Sequence, residues 1–386
     1  MNEFVYSYPT KVYFGEGAAA KHLPPEIAKV GKTVMLAYGK GSIKKNGIYD
    51  EITKILTDAG KIIIDFDGIM PNPTYAKVQQ GAALAKKNKV DFILAVGGGS
   101  VIDCCKVISA QAKTDKDIWT LEHEEQGMPT DFIPMGAVVT ASGTGAEMNN
   151  GAVITNEEKK IKGAVWGAFA DFAILDPNYT LTLPMRQVVS GAFDTLSHCM
   201  ETYFGMPGAG NLSDEINESV MRSVIRNIRV LLTDKGNMDA RSELEWASAM
   251  AENGILKIGK VTDFQAHQIE HQLGAYTDCN HGCGLAVIHP ALYRHIYKEA
   301  VSRFARFAKV VWEISPDGKT EDELAVAGID ALSAFIKEIG LPTTFTEMGI
   351  TDEGVLITVA ATCNLTAGCC KKLTRNEIFE LLKECV

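Results

Sequence analysis

Four apolar runs in the first half of the chain each end at or near a glycine-rich or acidic turn, and this pattern restricts the fold most. Thr33 to Tyr38 stops at Gly39, and Asp91 to Val96 stops at Gly97-Gly98-Gly99. Ile62-Ile63-Ile64 ends near Asp65, and Met135 to Val139 leads into Thr140-Ala141-Ser142-Gly143-Thr144-Gly145. Between them, Ile48 to Ala59 and Ala76 to Asn88 carry apolar residues at helical spacing. Strands that are apolar throughout, instead of alternating, are buried on both faces, as in a parallel sheet covered by helices. The pattern predicts a doubly wound, Rossmann-like α/β domain.

After Asp176-Pro177 the texture changes to long helical patterns. They run over Pro184 to Gly205, Asp214 to Thr233, Ala240 to Leu256, Pro290 to Ile314, Glu321 to Ile339 and Thr351 to Ala361. With 386 residues to place, two domains are expected: an α/β domain over 1–182 and an all-helical domain over 183–386.

Charge and cysteine usage exclude several jobs. Lys and Arg number 38 against 48 Asp and Glu, a net charge of -10 with no basic tract, so nucleic acid is not an expected partner. No apolar stretch approaches the ~18 residues of a membrane span. Met1 to Thr10 has neither a basic nor an apolar leader region, so a cytoplasmic location is expected. Nine cysteines without a framework spacing fit reduced thiols, with Cys104-Cys105 and Cys369-Cys370 serving as small buried hydrophobes.

The glycine loops suit phosphate. Gly97-Gly98-Gly99-Ser100 follows a strand and opens a helix, where backbone N–H groups and the helix dipole attract an anion. Gly143-Thr144-Gly145 and Gly39-Lys40-Gly41-Ser42 would lie at the same carboxyl edge of the sheet. Three plain strand-to-helix turns are the alternative.

The second half concentrates metal-ligand chemistry. Asp194 and His198, four apart on a helical pattern, share a face with Gln187, Gly191 and Glu201. His267 and His271 form a second such pair, and His281 follows in Asn280-His281-Gly282-Cys283-Gly284. One carboxylate with three imidazoles suits Fe2+ or Zn2+ with a position open for substrate. Spacing leaves open which of His267 and His271 is a ligand. A rival zinc grouping of Cys279, His281 and Cys283 would need three ligands within five residues.

Taken together, these motifs resemble the iron-containing (group III) alcohol dehydrogenase family, in its NADP(H)-dependent butanol dehydrogenase-like branch. The resemblance runs from Pro9-Thr10-Lys11-Val12-Tyr13-Phe14-Gly15 through the glycine loops, Ile174-Leu175-Asp176-Pro177 and Asp194-Thr195-Leu196-Ser197-His198 to His281-Gly282-Cys283-Gly284. It implies the two-domain architecture shared with 3-dehydroquinate synthase, and a homodimer. It implies metal ligation by Asp194, His198, His267 and His281, with His271 beside the nicotinamide and substrate as the group relaying a proton. Carried over likewise are cofactor contacts at Gly98, Gly99 and Ser100, with Asp103 close to both cofactor and chemistry, and at Thr140, Thr144, Asn149 and Lys160. Asn72 and Tyr179 complete the set. Asp171-Phe172 and Cys283 depart from the family's usual pattern without removing a functional group.

In this family an acid after the first βα strand selects NAD. Here that position resembles Gly39, followed by Ser42, Lys44 and Lys45, so NADP(H) is expected unless the lysines are only a solvated run. The expected activity is hydride transfer between NADP(H) and a small neutral aldehyde or alcohol, such as butanal. A metal- and NAD-dependent lyase resembling 3-dehydroquinate synthase is the enzymatic alternative, and a nucleotide- or metal-binding sensor the non-enzymatic one.

Overall fold

The computed structural model of the chain describes residues 2–206, 210–262, 264–366, 368 and 370–386. Cys369 lies outside them. The chain divides into two units, Tyr8–Leu183 and, together, Met1–Ser7 with Pro184–Val386. The first residues thus group with the helical unit and not with the α/β unit: the Asn2 N–H donates to Gly259 O at 3.3 Å.

The α/β unit holds a six-stranded sheet in the order β1-β8-β5-β4-β2-β3, every neighbouring pair parallel. Its strands are β1 (Lys11–Phe14), β2 (Thr33–Tyr38), β3 (Ile62–Phe66), β4 (Phe92–Gly97), β5 (Met135–Val139) and β8 (Phe172–Leu175). The helices are α1 (Ala18–Ile27), α2 (Ser42–Lys45), α3 (Ile48–Asp58), α4 (Tyr75–Asn88), α5 (Gly99–Gln111) and α6 (Ile118–His123). Alternate residues of β2 and β4, Val34, Leu36, Tyr38, Phe92, Leu94 and Val96, pack with α1 and α3 on one face. Their neighbours in sequence are equally buried, which is why these runs are apolar throughout.

β2 leads to β3 on one side while β4, its other neighbour, leads on to β5. The strand order therefore reverses between β2 and β4, and ligands of open α/β sheets bind outside the carboxyl ends at such a point. The loops after these two strands are Gly39–Gly41 and Gly97–Gly99. Gly99 is required by packing: a Cβ there would lie 2.2 Å from Thr144 Oγ1, so the start of α5 presses against the loop after β5.

The sequence pattern does not reveal the antiparallel hairpin of β6 (Gly151–Asn156) and β7 (Ile161–Trp166). Its run of glycine, asparagine and charge masks the alternation. α6 holds it in place: Glu122 accepts from the Trp166 N–H at 2.7 Å, and Glu124 pairs with Lys159.

In the helical unit, α7 (Met185–Tyr203), α8 (Leu212–Thr233), α9 (Met238–Glu252), α10 (Gln265–Thr277) and α11 (His281–Ile296) are followed by α12 (Val301–Val310), α13 (Glu321–Glu338), α14 (Glu353–Thr362) and α15 (Arg375–Glu384). The helix expected over Pro290 to Ile314 is two helices. Asn280 caps the first, its side chain accepting from the Cys283 N–H, and Pro290 lies inside it. The helix expected to reach Leu256 stops at Glu252, because Gly254 adopts a left-handed backbone at φ 87°. The exposed carbonyls at the end of α7 are capped by cations: Lys260 Nζ donates to Tyr203 O at 3.0 Å and Arg303 Nε to the same oxygen at 3.0 Å. No described helix is long and apolar enough to cross a membrane.

Burial pushes the Glu122 carboxyl up to about 7. The folded state therefore keeps a proton that the unfolded chain has lost, and Glu122 destabilises the fold increasingly from about pH 4.5 to about pH 7, with a constant penalty above. Glu122→Gln keeps an acceptor for Trp166 and carries no charge. Its melting temperature should match the parent near pH 4 and exceed it above pH 7; parallel pH profiles for the two proteins would refute this.

Candidate metal centre and cofactor loops

α7 carries Asp194, His198 and Glu201 on one face, as spacings of four and three residues require, and all three are buried. α10 brings His267, Glu270 and His271, also buried. His281 begins α11, and the glycines around it explain its position. A Cβ on Gly282 would lie 2.3 Å from Ser190 O, and one on Gly284 would lie 2.8 Å from Glu270 Cγ. The first turn of α11 can approach α7 and α10 this closely only because both residues lack side chains. Ser190 Oγ also donates to Asn280 Oδ1 at 2.6 Å, tying the cap of α11 to α7.

The three imidazoles converge on one oxygen. Asp194 Oδ1 is 3.7 Å from His198 Nε2, 3.5 Å from His267 Nε2 and 3.5 Å from His281 Nε2. Two ligand atoms bound tetrahedrally at zinc distances lie about 3.4 Å apart, so the spacing suits a shared divalent ion. Asp194 Oδ1 and His267 Nε2 are buried with no hydrogen-bond partner, as two such ligand atoms would be. The far sides of two of the rings are braced: His267 Nδ1 bonds to Glu201 and His281 Nδ1 to Glu270. Carboxylates in this position fix ring orientation and raise ligand basicity. Glu201 also accepts from the Ala266 N–H at 2.6 Å, anchoring the start of α10.

The electrostatics follow from burial among opposite charges. Burial alone would raise the Asp194 carboxyl, but His198, His281 and His267 outweigh it and hold it well below the usual carboxylate range. Burial would lower His267, but Glu201 and Asp194 push it up to about 10. His198 is lowered, burial prevailing over Asp194 and Glu252. The pocket thus has an excess of carboxylate that a dication would balance.

His267 Nε2 is the one turned toward Asp194. His271, a turn further along α10, stacks on His281 at 5.5 Å between ring centres. Phe264, at φ 52°, sets its ring 5.2 Å from that of His267 and 5.9 Å from that of His198. Among the described residues the Cys279–His281–Cys283 grouping does not assemble. Cys279 Sγ faces Glu270 Oε1 at 3.8 Å, Cys283 is buried beside Arg186, and the His281 ring is taken up by Asp194 and Glu270.

In the α/β unit, Gly39 and Ser42 follow β2, Asn72 follows β3, Gly98, Gly99, Ser100 and Asp103 follow β4, Thr140, Thr144 and Asn149 follow β5, and Tyr179 follows β8. All are reached from the carboxyl edge of the sheet. Asp103 anchors the hairpin to α5. Its Oδ2 accepts from the Val153 N–H of β6 at 2.9 Å, and its Oδ1 lies 3.5 Å from Lys106 Nζ. Tyr179 donates to Glu51 at 2.8 Å. Lys160 stands exposed in the hairpin turn at φ 54°, whereas Lys162 on β7, opposite Thr155, is buried.

Comparison with known proteins agrees with this arrangement. The family described as iron-containing alcohol dehydrogenase matches residues 9–177, and the Fe-containing alcohol dehydrogenase family, C-terminal, matches residues 188–386. The chain belongs to the iron-containing alcohol dehydrogenase family. It is 40% identical to the probable NADH-dependent butanol dehydrogenase 1 of Bacillus subtilis, over 99% of each chain. To the NADPH-dependent aldehyde reductase YqhD of Escherichia coli it is 35% identical, over 91% of this chain and 90% of the relative. The crystal structure of NADH-dependent butanol dehydrogenase A from Thermotoga maritima superposes with a TM-score of 0.94 at 35% identity, covering 100% of this chain and 99% of that one.

The residues that brace the clustered rings carry only faint signals in the sequence. Glu201 stands on the expected polar face with nothing there to give it a role. Glu270 sits between the two histidines of α10, where i,i+3 spacing from His267 is its only signal. Glu201→Gln and Glu270→Gln should each weaken metal retention about 10- to 100-fold in a chelator competition. Unchanged retention in both would show that the carboxylates do not orient the rings.

Proposed function

We propose that this chain is a divalent-metal, NADP(H)-linked alcohol dehydrogenase working mainly as a reductase of small neutral aldehydes of about butanal size, as a cytoplasmic homodimer. The observation that carries the metal reading is the convergence of three imidazole Nε2 atoms on Asp194 Oδ1. Asp194, His198, His267 and His281 would hold Fe2+ or Zn2+. When bound, the ion supplies Lewis acidity toward a carbonyl oxygen, and the nicotinamide supplies the hydride.

The protein's part is placement and proton handling. Glu201 and Glu270 keep the ligand rings oriented. His271 is close enough to the cluster to hold the proton that the reduced oxygen takes up, directly or through water. The N-terminus of α5, with Gly98, Gly99 and Ser100, offers N–H groups to the pyrophosphate. Support for a small neutral substrate comes from relatives named for butanol and for aldehyde reduction. Family membership favours the dehydrogenase over the lyase and the sensor.

Nucleotide preference rests on the end of β2. Gly39 offers no carboxylate to a ribose. Lys44 Nζ lies over the rings of Tyr38 and Tyr49, at 5.0 and 4.6 Å, and so is held beside the strand end instead of trailing in solvent. Asp65, on neighbouring β3, accepts from the Tyr49 hydroxyl at 2.8 Å. A held lysine and a tied acid favour a 2′-phosphate, although relatives are named for both nucleotides.

Two experiments test the proposal. His267→Ala should lose metal and activity together, whereas His271→Ala should keep its metal and lose turnover; metal analysis giving the reverse would exchange the two roles. Gly39→Asp should shift the kcat/KM preference toward NAD(H) at least tenfold, ~1.4 kcal/mol. A Cβ at Gly39 would lie 3.4 Å from Ile69 O, ordinary contact, so the variant should fold. Equal efficiency with NADH and NADPH in the parent enzyme would show that the missing acid does not decide selectivity.

A further inference from the structure

Lys106, two turns into α5, is fully buried. An ammonium without solvent is costly unless each proton finds an acceptor. Here three oxygens surround Nζ: Gly151 O at 2.6 Å and Asn149 Oδ1 at 3.0 Å accept hydrogen bonds, and Asp103 Oδ1 lies 3.5 Å away as an ion-pair partner. They come from the first residue of β6, from the loop after β5 and from α5 itself. The Lys106 carbonyl also faces the chain leaving β7, accepting from the Ala168 N–H at 3.4 Å. Gly167 permits that approach, since a Cβ there would lie 2.5 Å from Lys106 O. Both ends of the hairpin are thus rooted on one residue.

The contact with Asn149 has a further consequence. An ammonium can only donate, so the carboxamide must turn its oxygen toward Lys106. Its other end, the Nδ2 group, can only donate. We infer that Lys106 is a positioning residue for the nicotinamide cofactor: it holds Asn149 so that the side chain presents N–H donors, and the ligand atom met there is an acceptor oxygen. The inference rests on the proposed reading of Asn149 as a cofactor contact.

A double-mutant cycle on the metal-loaded enzyme tests it, with NADPH and, alongside, NADH dissociation constants read by fluorescence titration and melting temperatures recorded for each variant. Lys106→Met and Asn149→Ala should each weaken binding about tenfold, and the double variant should be no weaker than Asn149→Ala alone. Additive losses would overturn the inference. So would Lys106→Met that melts earlier yet binds both nucleotides within twofold of the parent, which marks a structural role alone. If Asn149→Ala binds like the parent, it is the cofactor reading of Asn149 that fails. Lys106→Gln, which keeps a donor for Asn149 Oδ1 without the charge, keeps the test open should the Met variant not fold: it should bind both nucleotides within about twofold of the parent, and a tenfold loss in a folded Lys106→Gln would overturn the inference.

Discussion

The helical unit is organised around one buried carboxylate. An anion at Asp194, removed from water, is costly unless cations and hydrogen-bond donors gather round it, and the structure supplies three imidazoles within 3.7 Å of one oxygen. Each further layer alternates in sign. His267 and His281 are backed by Glu201 and Glu270, and the partly buried Glu252 pairs with Lys257 at 3.0 Å. For these rings to meet, α7, α10 and α11 must converge at closer than usual range. That demand falls on the backbone as Gly282 and Gly284, and the cationic caps Lys260 and Arg303 fix the end of α7. The chemistry of the site therefore dictates the packing of its helices.

The α/β unit answers to a different constraint, access to backbone N–H groups at a sheet edge. A phosphate-binding turn needs strands ending together and side chains absent from the approach. β4 and β5 are neighbours, so their loops meet, and Gly99 is small because Thr144 lies against it. Lys106 and Asp103 extend the same logic one layer inward, rooting the hairpin on α5.

What was legible in the sequence followed from periodicity, and what was not depended on distant partners. Three inner strands, β2, β4 and β5, could be read because residues buried on both faces cannot be polar, and the edge strand β3 was legible from its isoleucine run alone. β1 and β8 are four residues each, too short for a pattern to show, and were not anticipated as strands. The pairing of Asp194 with His198 on one face of α7 was readable because i,i+4 spacing is itself a geometry. Glu270 was not, since its role depends on His281 arriving from another helix. Pro290 misled because proline is common at helix starts, yet here an Asn280 cap had already begun the helix.

The comparison with relatives narrows where nucleotide choice can reside. Proteins named for NADH and for NADPH match this chain over at least nine-tenths of its length, so the shared fold does not select between them. On the proposed reading, pyrophosphate recognition at the start of α5 would be common to both nucleotides and so equally uninformative. Discrimination must come from the atoms that meet the adenosine ribose, and in a doubly wound sheet those lie at the end of the strand beside the switch point. On the proposed reading, that place in this chain is the Tyr38–Lys44–Tyr49–Asp65 cluster. There the acid is engaged by a phenol and the cation is held over two rings. An electrostatic preference set by so few groups would change by single substitutions without disturbing the sheet, as the proposed reading requires.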